Sequence, residues 1–300
     1  AQMAGAAQTA GAAQTASAAR TSGATRTARQ SSSARAGRDF PLRLSIATLN
    51  LWGNERWAER SPAVRRFCET VRPDVLGIQE LSAESRSFLD EVLASHDRVE
   101  DGFPGWSHDG NTWWRRDLFE EVEHGAEDVG IAASPERRLF WVRLRLGAGS
   151  KEPRTIWVGN VHLTAADTPE ELGEGMSSRV AEAKRAADAV RTLVGPDEPA
   201  FLVGDFNDAL APLVHLFGAG FHSCFAKLGE LPPTTMPAFA DRLLTYGFSS
   251  AFVYDWILAN HRARPLVASS PHVVADHVPP SDHWPVVAVY ELEDGGGDET

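Results

Sequence analysis

Several apolar runs in this chain break off at a polar residue that could do chemistry. LSIATLN stops at Asn50, VLGIQE at Glu80, and TIWVGNVHL carries His162. FLVGDFNDAL carries Asp205, Asn207 and Asp208, and FVYDWIL carries Asp255. PSDHWPVVAVY opens with Asp282 and His283. Carboxylates, amides and imidazoles at one end of many strands make a poor core, because buried polar groups cost free energy unless paired. They suit a metal-assisted site for cleaving phosphoesters. Such cleavage needs a cation on a nonbridging oxygen, a base beside a water and donors for the developing charge.

The elements that must position these residues are legible as patterns. Phe201–Val203 runs as a buried strand, Gly204 ends the apolar run, and the carboxylates follow beyond it, where open α/β sheets place their chemistry. Further strands are expected at Leu42–Leu49, Asp74–Gln79, Leu118–Val122, Leu139–Leu146, Thr155–Leu163, Phe221–Phe225, Ala251–Leu258 and Trp284–Glu291. Leu139–Leu146 and Thr155–Leu163 read as a hairpin through GAGSKEP. Helices are expected at Ser61–Arg72, with Ser61 as cap and Pro62 in the first turn, and at Ala83–Ser95. Others are expected at Ser177–Val194, capped by its serine and ended by Gly195, and at Leu210–Phe217. Asp208 reads as a cap. Trp113 and Trp114 alternate on a strand, so one is expected in the core and the other on the surface. The GFPGWSHDGN, Ala165–Gly175 and Gly229–Gly247 segments read as loops, the last long enough to face a substrate.

Composition narrows the function classes. Residues 1–39 repeat AGAAQTA and hold five arginines and one acid; the remainder carries 24 basic against 40 acidic residues, a net charge of −16. That tail cannot bury enough to offset its ordering entropy and reads as a disordered extension; a targeting peptide is the alternative. The remaining 260-odd residues suit one large α/β domain, 40–293, followed by an acidic tail, 294–300. An acidic domain disfavours broad coating of nucleic acid, whose bulk affinity comes from Lys and Arg. Cys68 and Cys224 form neither a disulfide framework nor a zinc pattern, and Cys68 reads as a small apolar residue. No apolar run is long enough to span a membrane. A soluble, cytoplasmic monomer is expected, with organelle import if the tail is a targeting peptide. No GxGxxG or GxxxxGK[ST] follows a strand, which excludes a dinucleotide or P-loop site.

The motifs ATLN, PDVLGIQE, GNVHL, GDFND, YDWIL and SDHWPV, in this order over about residues 43–290, resemble those of the endonuclease/exonuclease/phosphatase (DNase I-like) superfamily. The resemblance implies a four-layer α/β sandwich, two mixed β-sheets packed face to face and flanked by helices. It implies Mg²⁺ as cofactor, with Mn²⁺ as substitute, held by Glu80, by Asn50 through its amide oxygen, and by Asp282 as a second carboxylate. Hard, oxygen-preferring Mg²⁺ is commonly bound by one or two carboxylates. By the same resemblance Asp205 orients or deprotonates the attacking water, Asn207 donates to a phosphate oxygen, and His283 acts with Asp255 fixing its tautomer. His162 is a second phosphate-facing donor, with Asp109 as its expected partner. If strand alternation persists past Asp205, Asn207 faces the same way.

Two positions depart from the family pattern. RVAEA has Glu182 where several branches carry glutamine, which leaves Arg179 between a substrate contact and an anchor. Nuclease branches often carry an acid two residues after the asparagine, where this chain has Trp52. The reading is therefore a Mg²⁺-dependent hydrolase of a phosphodiester or phosphomonoester, by in-line water attack. The alternatives are a nuclease on DNA or RNA and, from another class, a non-catalytic binding module with this fold.

Overall fold

The computed structural model describes residues 41–131, 134–147, 154–165, 177–239 and 252–292. They all belong to one compact unit, Phe40–Thr300. The expected tails 1–39 and 294–300, most of the GAGSKEP connection, most of Ala165–Gly175 and the end of the Gly229–Gly247 loop lie outside the described residues.

The described residues form two mixed sheets of six strands each. The first contains β1 (Arg43–Asn50), β2 (Val75–Gln79), β3 (His96–Arg98), β4 (Gly110–Arg115), β11 (Ala263–Ser269) and β12 (Val286–Leu292), in the order β11-β12-β1-β2-β4-β3. The second contains β5 (Phe119–Glu127), β6 (Leu139–Leu146), β7 (Thr155–His162), β8 (Ala200–Asp205), β9 (His222–Ser223) and β10 (Asp255–Ala259), in the order β5-β6-β7-β8-β10-β9. Each sheet has one parallel pair at its centre. β1 and β2 are joined through helix α1 (Trp57–Val71), and β7 and β8 through helix α4 (Ser178–Leu193). A parallel pair needs such a crossover, and the helix then covers one face of its sheet.

Burial follows the period of two along each strand. Leu44 and Ile46 of β1, Ile156 and Val158 of β7, Phe201 and Val203 of β8 and Ile257 of β10 share the core between the sheets. The intervening residues face outward. Ala47, Leu49, Leu76 and Ile78 pack under α1 and α2 (Ala83–Val92), with Val64, Phe67, Cys68 and Leu89. Leu202, Trp157 and Leu258 pack under α4 with Ala183, Ala186 and Val190. The result is the expected four-layer sandwich.

Local differences have physical causes. α1 starts at Trp57, ahead of Ser61, with left-handed Arg56 as its N-cap and Pro62 inside the helix. Trp57 is buried edge-on against Phe88, so tertiary packing extends the helix past the capping signal. Ser177 makes no side-chain cap bond. α2 stops at Val92, the GFPGWSHDGN segment holds a one-turn helix, α3 (Gly105–His108), and Phe221–Phe225 is the short strand β9 followed by a helical turn, α6 (Cys224–Leu228). Trp113 and Trp114 are both buried, one under the helices and one between the sheets. Their alternation holds, but β4 lies inside the sheet and both its faces are covered. Cys68 is buried among apolar side chains, as expected. Asp208 Oδ1 accepts from the Leu210 and Ala211 N–H groups, which makes it the cap of the turn leading into α5 (Leu213–Gly218).

Candidate active site

The same alternation that builds the inter-sheet core carries the polar residues to its mouth. On β1 the inward positions run Ile46, Thr48, Asn50; on β7, Val158, Asn160, His162; on β8, Phe201, Val203, Asp205. β10 is antiparallel to β8 and begins at that end with Asp255, paired in register with Asp205. Apolar residues fill the depth of the sandwich, and Asn50, His162, Asp205 and Asp255 converge where it opens. Beneath them, Asn160 spans the sheets: its Nδ2 donates to Ile78 O at 2.8 Å and Asn111 O at 2.9 Å, and its Oδ1 accepts from Gln79 Nε2 at 2.6 Å. This polar plug is fully paired, as buried polar groups must be.

Two residues reach the site against the strand period. Alternation alone would carry Glu80 to the helix-covered face of Leu76 and Ile78. β2 ends at Gln79, and Glu80 takes a left-handed φ of 52°. Its Oε1 then accepts from Asn50 Nδ2 at 3.0 Å. Alternation does not persist to Asn207 either: β8 stops at Asp205 and Asn207 has φ 49°. The Asn207 N–H donates to Asp205 Oδ1 at 2.8 Å and its Nδ2 to Leu163 O at 2.9 Å. Left-handed non-glycine residues are uncommon and cluster where surrounding structure imposes them, often at functional sites.

Asp205 is the hub. Its Oδ2 accepts from Asn50 Nδ2 at 2.9 Å and lies 3.6 Å from His162 Nε2 and 3.8 Å from His283 Nε2. His283 Nδ1 is 2.8 Å from Asp255 Oδ2. The Asp255 and Tyr254 N–H groups both donate to Thr235 Oγ1. Asp255, fully buried, leaves Oδ1 without a hydrogen-bond partner among the described residues, so its charge is directed at His283.

Burial and charge divide the protonation states. Burial pushes the Asp205 carboxyl up to about 7, against the opposing pull of the His283 charge. Burial draws His283 down, but Asp255 and Asp205 together outweigh it and raise the imidazole to about 9. Burial, helped by the Arg137 and His283 charges, holds His162 well below the usual histidine range. Near neutral pH the site therefore contains an imidazolium, a neutral imidazole and a carboxyl poised to exchange a proton.

The remaining expected residues fall as follows. Asp109 Oδ1 accepts from Arg137 Nε at 3.0 Å, and the described acid paired with His162 is Asp205. Arg179 is buried with its Nε 3.5 Å from Asp208 Oδ2. The Asn50 oxygen accepts from the Trp52 N–H at 2.8 Å, which turns the amide nitrogen, rather than the oxygen, towards Glu80 and Asp205. Among the described residues, Asp205, Asp255 and His283 bring ligand atoms within 4.8 Å of one another. Asp282 is buried nearby, with Oδ1 accepting from Ser281 Oγ at 3.2 Å.

Two contributors escape the sequence patterns. Arg137 places a cation on His162 from a loop with no strand-end signature. Glu182, at the glutamine position of the pattern, is fully buried and accepts from both the N–H and Oγ1 of Thr164, at 2.9 and 2.6 Å. It thereby anchors the chain two residues beyond His162.

Comparison with known proteins agrees with this architecture. No curated protein matches the chain. Among solved structures, TDP2 of D. rerio complexed with single strand DNA product aligns at TM-score 0.69 and 17% identity, covering 83% of this chain and 99% of that one. A mannosyl-6-phosphatase of Bacteroides thetaiotaomicron aligns at TM-score 0.64 and 18% identity, covering 83% and 100%. An endonuclease/exonuclease/phosphatase family protein of the same organism aligns at TM-score 0.65 and 18% identity, covering 85% and 99%. At such identities the likeness is one of fold. The sequence profile of the Endonuclease/Exonuclease/phosphatase family matches residues 47–283, from β1 to His283 itself. With every motif of that span meeting at one mouth of the sandwich, the chain belongs to the endonuclease/exonuclease/phosphatase family.

Proposed function

We propose that this protein is a Mg²⁺-dependent phosphoester hydrolase whose catalytic domain is residues 40–293. The observation that carries the reading is the continuous polar chain Asn50–Asp205, His283–Asp255 across the mouth of the sandwich. Two carboxylates, two imidazoles and an amide meeting at one opening, each buried, are what acid–base chemistry on a phosphoester requires.

The donors fit a hard cation. Glu80 is a half-buried carboxylate at the mouth, Asp282 is a second carboxylate, and no thiolate is near. Asn50 Oδ1 would reach a cation beside Glu80 only with the amide turned over, giving up its bonds to Trp52, Glu80 and Asp205. Glu80, Asn50 and Asp282 would hold the metal, which when bound neutralises charge on a nonbridging phosphoryl oxygen. Asp205 Oδ2 takes a proton from a water as the water oxygen bonds to phosphorus and the bond to the leaving oxygen breaks. A base with pKa near the working pH is the efficient choice. His283, held as the imidazolium by Asp255, offers Nε2–H to the charge developing on phosphorus-bound oxygen. Neutral His162 and the second Nδ2–H of Asn207 add uncharged donors. Arg137, behind His162, adds a positive potential.

The acidic surface favours a substrate with one phosphoester contact over a long duplex. A nuclease reading draws support from the fold shared with the single-strand-bound TDP2. No described helix is long and apolar enough to cross a membrane. The test is turnover by the full chain, with Mg²⁺, Mn²⁺ or EDTA, of bis-p-nitrophenyl phosphate, p-nitrophenyl phosphate, sugar phosphates, RNA and single- and double-stranded DNA. Metal-dependent turnover lost in Glu80→Ala and Asp205→Ala is the expected result. Absence of turnover on every substrate, together with no Mg²⁺ binding by calorimetry, overturns the reading in favour of a binding module.

A further inference from the structure

Arg60 lies on α1, outside every motif that marks the site, and is fully buried. A guanidinium has five N–H groups, and here each meets a main-chain carbonyl. Nε donates to Glu55 O at 2.6 Å. Nη1 donates to Leu51 O at 2.7 Å and Pro280 O at 2.8 Å. Nη2 donates to Trp52 O at 3.4 Å and Gly53 O at 3.2 Å. Among the described residues it makes no ion pair with a carboxylate. A buried cation without a counter-ion is costly unless its hydrogen bonds are complete, and these are.

The five carbonyls come from two places. Leu51, Trp52, Gly53 and Glu55 form the turn that follows Asn50. Consecutive left-handed residues, Trp52 at φ 57° and Gly53 at φ 49°, help turn its carbonyls onto one cation. Pro280 belongs to the turn that presents Asp282 and His283. The first turn leaves β1 and the second leads into β12, paired strands of the first sheet, yet in sequence they stand more than two hundred residues apart.

We infer that Arg60 is a positioning residue: its five N–H groups clamp the Asn50 turn to the Pro280–His283 turn and so set the spacing between the Asn50–Glu80 side of the site and His283. This rests on the catalytic reading of Asn50, Glu80 and His283 given above. Lysine has three donors and a point charge, so it cannot satisfy five carbonyls in a fork. Displacement of a catalytic group by about 1 Å costs on the order of a hundredfold in rate.

The test uses the full chain as Arg60→Lys, Arg60→Gln, Glu80→Ala and a control, Val64→Ala, which removes buried methyl groups one turn along the same helix. Thermal unfolding, Mg²⁺ affinity by calorimetry, and kcat and KM on bis-p-nitrophenyl phosphate are measured for each. In Arg60→Lys and Arg60→Gln, kcat should fall roughly ten- to a hundredfold with KM nearly unchanged, and Mg²⁺ binding should weaken about tenfold. Val64→Ala should lose stability and neither of these. Arg60 variants that keep wild-type kcat and Mg²⁺ affinity overturn the inference. So do losses matched by Val64→Ala, and so does failure of both Arg60 variants to fold while Val64→Ala folds, since each assigns Arg60 to stability alone. Unchanged metal binding and turnover in Glu80→Ala would instead overturn the catalytic reading, whatever the Arg60 variants do.

Discussion

Asn50 Nδ2 and Asp205 Oδ2 stand 2.9 Å apart, and their hydrogen bond joins the first sheet to the second at the open end of the sandwich. The acid proposed as base is thus oriented by an amide from the sheet that supplies Glu80. Its other oxygen is taken by the Asn207 N–H. Only Oδ2 faces the two histidines.

Asp205→Asn should remove the base and one of the two bonds of this frame. The amide oxygen can keep the Asn207 N–H, but its NH2 then meets Asn50 Nδ2 donor to donor, so the bond between the sheets is lost. Turnover is expected to fall roughly 10²–10⁴-fold, the usual contribution of a positioned base. The loss of one buried hydrogen bond should cost about 1–3 kcal/mol of stability, which urea unfolding measures. A variant that keeps more than a tenth of wild-type kcat would remove Asp205 from that role.

Activity should have an alkaline limit set by His283. The imidazolium is needed as a donor, and its pKa is raised to about 9, so kcat/KM should decline as pH rises through that value. Asp255→Asn removes the carboxylate that contributes most to the rise and should move the decline to lower pH. The stability linkage has the same sign. The folded pKa lies above the ordinary 6.5, so the stabilisation is full below 6.5 and is lost as pH rises through about 9. Wild type should therefore lose more stability across that window than His283→Gln, as read by urea unfolding at a series of pH values.

Much of the site is legible in the sequence because strand-end residues are tied to a period. Asn50, His162, Asp205 and Asp255 each continue an inward-facing apolar row, so the pattern that finds the core also finds them. Glu80 and Asn207 also follow apolar runs, but their left-handed φ breaks the period that alternation relies on, so their direction is not legible from it. Arg60 and Arg137 follow neither rule. Their partners, the Pro280 carbonyl and Asp109, are brought near by tertiary structure, and a lone arginine carries no local sign of that. Edge strands are faint for a related reason. β3 is only three residues long, and β11 contains Pro265 with a register shift after it.

Glu182 supports the site from below, and its removal should act mainly on stability. Glu182→Ala leaves the Thr164 N–H and hydroxyl buried without an acceptor, a cost of about 1–3 kcal/mol per group. Glu182→Gln keeps one carbonyl acceptor and should cost less. Urea unfolding of both variants tests the order. A Glu182→Ala protein as stable as wild type would show that Thr164 finds another partner.

Gly204 precedes the proposed base at φ 141°, and a Cβ there would sit 1.8 Å from Val161 O on the neighbouring strand. Neither the dihedral nor the space suits a side chain. Gly204→Ala must part β7 from β8 or shift Asp205. The expected cost is about 3 kcal/mol or more, at the upper end of overpacking effects, together with loss of turnover. Soluble yield and unfolding midpoint measure the first, and kcat the second. An active, stable Gly204→Ala would mean that the strand relaxes without moving Asp205.

Metal binding should be visible in the fold's stability, independent of any substrate. A ligand that binds only the folded state stabilises it by RT ln(1 + [L]/Kd), about 2.7 kcal/mol at a hundred times Kd. Mg²⁺ should raise the unfolding temperature of wild type, and EDTA should reverse it. Glu80→Ala should lose most of the rise, because the remaining ligands, an amide and one carboxylate, bind a hydrated dication weakly. Asp255→Asn, which sits behind His283 and holds no metal in this scheme, should keep it. The pair separates the proposed metal ligands from the buried Asp205–Asp255–His283 cluster. If Asp255→Asn abolishes the Mg²⁺-dependent rise and Glu80→Ala retains it, the cation belongs to that cluster and the roles of the two groups are exchanged.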